Sequence, residues 1–107
     1  GVIITQVMPS PEDASVPLVK QYLADMKGAN INYTSLEGYA DAVVLVEALK
    51  KAGPNLTRAA LLSALESLNT DIGGLKIAFS PTNHQGSKAV YLTVVRGGKA
   101  VPVKRLD

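Results

Sequence analysis

The chain has no cysteine. That excludes disulfides and every thiolate metal site, and it leaves the compartment open. It has no tryptophan and one phenylalanine, and aromatic residues make up only 5% of it. Its core must therefore come mainly from Leu, Val, Ile and Ala. There is a single histidine, His84. No apolar run approaches the roughly 20 residues of a membrane span, and no signal peptide stands at the start. Net charge is only +2. The cations are scattered, with Lys50-Lys51 and Lys104-Arg105 the adjacent pairs, and no basic stripe alternates with aromatics. Nucleic acid is not an expected partner.

The 107 residues, 47% of them apolar and 19% charged, suit one small globular domain. Val2 to Met8 is an almost continuous apolar run that stops at Pro9-Ser10-Pro11. It predicts a strand buried on both faces. A chain that opens on such a strand reads as a piece of something longer. Ser15 is placed to cap a helix whose first turn tolerates Pro17. Val19, Tyr22, Leu23 and Met26 follow at helical spacing, and Gly28 marks the end.

Thr34-Ser35-Leu36-Glu37 fits a capping box, with Thr34 capping forward and Glu37 reaching back. The helix it opens runs to about Ala52. Apolar residues cover most of its circumference, so it is expected to be largely buried. Gly38 reads as room for a neighbouring backbone. Thr57 caps a third helix, with Leu61, Leu62, Leu65 and Leu68 as its apolar face, ending near Asn69. Leu75 to Phe79 alternates like a strand, and Ser80 to Ser87 is a polar loop. Ala89 to Arg96 and Ala100 to Val103 then form a hairpin about Gly97-Gly98. The predicted order is β-α-α-α-β-β-β. It is odd for a self-contained domain, because the opening strand has no earlier neighbour.

No residue set here can do chemistry. His84 is flanked by Asn83, Gln85 and Ser87, which neither complete a metal site nor orient a base. Asp41 and Glu47, six apart on one helix, face different ways. The Gly-Gly pairs open no helix and make no phosphate loop.

Four stretches, in order, resemble the C-terminal third of type I periplasmic solute-binding proteins of ABC transporters, in the branched-chain amino acid (leucine/isoleucine/valine) branch. They are GVIITQVMPSP at Gly1 to Pro11, SLEGYADAVVLVEALKKAG at Ser35 to Gly53, LTRAALLSALESL at Leu56 to Leu68, and GGLKIAFSPTNHQGSKAVYLTVV at Gly73 to Val95. The resemblance implies a three-layer α/β fragment with a mixed sheet, three helices and a C-terminal hairpin. It implies that residues 1–87 belong mostly to an N-terminal lobe, with an inter-lobe strand near 2–8. Residues 88–107 would hold the last inter-lobe strand and a hairpin strand of the second lobe.

The function implied is non-enzymatic capture of an amino acid or similar small carboxylate outside the cytoplasmic membrane, in the periplasm, for delivery to ABC permease subunits. No cofactor or metal is implied. The loop entering the second helix would face the ligand cleft, where a helix N-terminus suits a carboxylate. Tyr33 and Ser35 are the candidate ligand-binding residues. Equally, Thr34 and Glu37 could simply cap and Tyr39 simply pack. Gln6, Val7 and Pro9 lie at the implied hinge, unless that stretch is only a strand followed by a rigid Pro turn. Unpaired strand edges in such a piece favour a homodimer or strand-exchanged oligomer. Alternatives are a ligand-sensing receptor domain of the same fold and an interaction module without a ligand.

Overall fold

A computed structural model describes residues 1–105. The chain forms β1 (Ile3–Gln6), α1 (Pro17–Met26), α2 (Tyr33–Ala52), α3 (Arg58–Glu66), β2 (Asn69–Asp71), β3 (Lys76–Ala78), β4 (Tyr91–Arg96) and β5 (Lys99–Val103). The α/β class, the three helices and the C-terminal hairpin are those expected. Every strand pair is antiparallel, so the mixture of directions expected for the sheet is not found among the described residues. One sheet has the order β1-β4-β5, and β2 and β3 form a second, separate pair. The last residues of the expected 88–107 segment, 106 and 107, lie outside the described residues.

The core lies between α1, the first half of α2 and the β2–β3 hairpin. Leu18, Val19 and Tyr22 of α1 and Leu36 of α2 are almost or fully buried there, against Leu75 and Ile77. The hairpin approaches α1 closely enough that Leu18 N–H donates to Gly73 O at 2.9 Å. Gly73 has φ 89°, and a Cβ there would stand 2.7 Å from Leu18 N. Only glycine meets both demands.

Several expectations on local structure change. Ser15 does not cap α1: its Oγ donates to Asp13 Oδ1 at 2.6 Å, and Val16 takes the cap position with no side-chain bond. Asp13, two residues before Ser15, is the nearer acceptor. The helix closes on Lys27, left-handed at φ 52°, one residue before Gly28. The cap of α2 is Asn32, whose side chain accepts from Ser35 N–H at 2.8 Å. Thr34 therefore lies inside the helix. A built Cβ on Gly38 meets nothing within 4 Å, so this glycine admits no neighbour.

β1 is not buried on both faces. Val2 and Ile3 are 66% and 51% exposed. Among the described residues only β4 flanks β1, and no helix packs broadly across this sheet. Likewise α2 buries Leu36, Ala40 and Ala48 but leaves Leu45 and Val46 about half exposed. The apolar run around this helix exceeds what the described neighbours cover. The short polar strand β2 carries no alternation, and the expected element order has no strand there. It forms because its partner β3 supplies the ladder and Phe79 N–H donates to Leu68 O at 3.0 Å.

Candidate functional site

The start of α2 is fixed by a directional chain of hydrogen bonds. Asn32 N–H donates to Tyr22 Oη at 3.1 Å. Tyr22 Oη lies in hydrogen-bond contact with Ser35 Oγ. Ser35 Oγ donates to Asn30 O at 2.6 Å. Each hydroxyl has one proton, and this order uses both: Asn32 N–H to Tyr22, Tyr22 O–H to Ser35, Ser35 O–H to Asn30. Asn30 is left-handed at φ 53°, which turns its carbonyl toward Ser35. The network pins the helix start to a fully buried side chain of α1, Tyr22.

Tyr33, the first residue of α2, points elsewhere. It lines an open groove of about 520 Å³ with Pro9, Ser10 and Asp13 from the turn after β1, Val90 to Thr93 at the start of β4, and Pro102 to Lys104 at the end of β5. A volume of this order is in the range of small-molecule sites. Burial pushes the Tyr33 phenol up from its ordinary value. The charge of Glu12 acts in the same direction, against a lowering hydrogen bond with Ser10. The hydroxyl therefore stays protonated through neutral pH and can donate to an acceptor in the groove. Lys104 supplies a cation at the rim and Asp13 an anion.

β1 and β4 hold the groove's floor in register. Gln6 pairs with Tyr91, and Ile4 with Thr93. Thr93 is fully buried, and its Oγ1 donates to Ile4 O at 2.7 Å, 89 residues back along the chain. Of the sequence candidates, Tyr33 and Pro9 come together at the groove. Ser35 is near in sequence, but its side chain is turned into the Tyr22 network. Gln6 and Val7 precede the groove along the strand; Val7 is 57% exposed. Tyr91 and Lys104 line the groove and are absent from the sequence candidates. Nothing in their local pattern marks them, because they meet only through β1–β4 and β4–β5 pairing.

The other candidates fall outside the groove. His84 Nε2 lies 3.4 Å from Glu66 Oε2 on α3, a partner 18 residues away that its neighbours in sequence do not reveal. Among the described residues no group of three or more His, Asp or Glu is placed to hold a metal ion. Among the described residues no helix is long and apolar enough to cross a membrane. Tyr39 packs edge-on against Tyr22, with ring centroids 5.5 Å apart, and donates to Asp25 Oδ2 at 2.5 Å.

The arrangement is an open groove lined by a phenol, a cation, a carboxylate and backbone turns. Comparison with known proteins gives the chain its family. Residues 1–100 match the family model described as periplasmic binding protein, and the chain belongs to that family, which is one of binding proteins rather than enzymes. A possible leucine/isoleucine/valine-binding protein from Rhodopirellula baltica SH 1 superposes with a TM-score of 0.85 at 30% identity, over 96% of this chain and 29% of that one. A substrate-binding periplasmic protein from Ralstonia solanacearum superposes with a TM-score of 0.78 at 28% identity, over 94% of this chain and 31% of that one. The chain thus spans a little under a third of the length of either structure. No curated protein sequence matches it.

Proposed function

We propose that this chain is part of the substrate-binding component of an ABC transporter. That component captures an amino acid of the branched-chain type, or a similar small carboxylate, outside the cytoplasmic membrane and presents it to permease subunits. The observation that carries this reading is the convergence at one groove of Tyr33, the turn at Pro9-Ser10 and the start of β4, in a chain of the periplasmic binding protein family. The likeness to a possible leucine/isoleucine/valine-binding protein supports the ligand class.

In this reading residues 1–87 belong mainly to one lobe, with β1 as an inter-lobe crossing. Residues 88–107 carry the last crossing and a strand of the second lobe. Tyr33 meets the ligand with its phenol, and Ser35 serves the same end by holding the helix start. Gln6, Val7 and Pro9 take up the backbone rotation when lobes close. Closure is a population shift driven by ligand contacts to both lobes, so the 107 residues alone bind weakly. Their exposed β1 edge pairs with a second copy when nothing else covers it.

The test is titration calorimetry on the full gene product that carries this chain, with leucine, isoleucine, valine and leucinamide. Binding near 1 μM, about 8 kcal/mol, for one of the acids and at least tenfold weaker binding of leucinamide supports the reading. Tight binding of leucinamide, or of none of the acids, contradicts it.

A further inference from the structure

Charge is segregated along this chain in a way that the net value of +2 hides. Residues 72–105 contain six Lys and Arg and no Asp or Glu. Two of those cations, Lys76 on β3 and Lys88 before β4, line a second groove of about 450 Å³. Its other walls are Gly74-Leu75, Ala78, Gln85-Gly86, Ala89 and Tyr91, and it contains no carboxylate. Among the described residues neither ammonium has an ion-pair partner. The nearest acid in the strand register, Asp71, sits opposite Lys76, but its Oδ1 accepts from Gly73 N–H at 2.9 Å and Gly74 N–H at 2.6 Å.

Both walls are held in place without a ligand. Ala78 N–H donates to Gly86 O at 2.9 Å, which ties the 85–88 segment to β3. Gly86 lies so close to the Phe79 ring that a Cβ would stand 2.5 Å from Cζ. The Asp71 bonds fix the Gly73-Gly74 turn on the other side. Two cations on fixed walls of a concave surface focus positive potential into it. Such a surface matches an oxyanion, which accepts charge-assisted hydrogen bonds from ammonium and amide donors alike.

We infer that the groove between β3 and the 85–91 segment is a second ligand site, distinct from the groove at Tyr33, that takes a small oxyanionic molecule bearing a phosphate or carboxylate group between Lys76 and Lys88. Lys76 and Lys88 supply the charge, and Tyr91 stands on the border that the two grooves share. The volume suits a small molecule rather than a chain segment.

The test is a titration followed by amide chemical shifts on the full gene product that carries this chain, with sodium phosphate and with sodium succinate. Sodium chloride at matched ionic strength is the reference, because exposed charges are screened by any salt. The expected result is a saturable shift of Lys76, Gln85, Gly86 and Lys88 with one or both anions. Phosphate alone identifies a phosphate group as the feature recognised; saturation by both identifies the oxyanion in general. Lys76→Gln and Lys88→Gln should each weaken binding about two- to five-fold, the scale of an exposed charge pair, and the double variant should lose saturation. Arg96→Gln, a cation outside the groove, should leave the affinity unchanged. Unchanged shifts away from the groove show that each variant is folded. Shifts equal to those with chloride, saturation that survives in the double variant, or an equal loss in Arg96→Gln would overturn the inference.

Discussion

The Tyr22 hydroxyl of α1 meets Ser35 Oγ of α2 and joins the two helices through a part-buried polar contact. The contact lies in the middle of a chain that starts at Asn32 N–H and ends at Asn30 O. Two side chains 13 residues apart thus hold the start of α2.

Removing a hydroxyl from this chain leaves a donor or acceptor without its partner. Tyr22→Phe should lower the unfolding free energy by about 1–3 kcal/mol. Ser35→Ala should cost about 1 kcal/mol, since Asn32 still caps the helix through the Ser35 amide. Urea unfolding followed by circular dichroism reads both. Equal stability of Tyr22→Phe and the parent would show that the contact contributes nothing.

Two glycines in this fold should respond oppositely to alanine. Gly86→Ala drives a methyl into the Phe79 ring and should destabilise by about 1–3 kcal/mol, as overpacking does. Gly38→Ala adds a methyl in open space on a helix and should stabilise by about 0.5–1 kcal/mol. Thermal unfolding of the two variants side by side checks the pair. The outcome that opposes the packing described here is a loss at Gly38 with no change at Gly86.

Tyr39 carries an alkaline signature. Burial, then its hydrogen bond to Asp25 and the charge of that carboxylate, push its phenol up to about 12. Folding therefore favours the neutral form. The stability this supplies is complete below pH 10, the ordinary tyrosine value, and is lost as pH rises through about 12. Unfolding free energy should fall across that window, and Tyr39→Phe should flatten the fall. A phenolate absorbance titration of the folded protein should show a last component ionising at about pH 12, and that component should vanish in Tyr39→Phe.

Local signals in the sequence placed much of this fold. Thr57 does cap α3, accepting from Ala60 N–H at 3.0 Å. Gly53 does end α2, and Gly97-Gly98 does turn the β4–β5 hairpin with both φ values positive. Each of these depends on a few neighbouring residues. The cap of α2 falls at Asn32 and not at the expected Thr34: both are good capping types, and Tyr22 on another helix holds the Asn32 amide, which no local pattern shows. β1 is more exposed than its apolar run implies, because such a run shows what could be covered, not what covers it. Of the groove, Tyr33 was legible as a residue at a helix start. Tyr91 and Lys104 were not, since strand register alone brings them to it.

The central claim is that the groove at Tyr33 is one wall of an amino acid site. The most direct measurement is calorimetric titration of the full gene product with its best-binding amino acid, comparing the parent with Tyr33→Ala and with Lys76→Gln. The account predicts at least a tenfold weaker affinity for Tyr33→Ala, about 1.4 kcal/mol, and an unchanged one for Lys76→Gln. An affinity unaltered by Tyr33→Ala in a folded protein would contradict it.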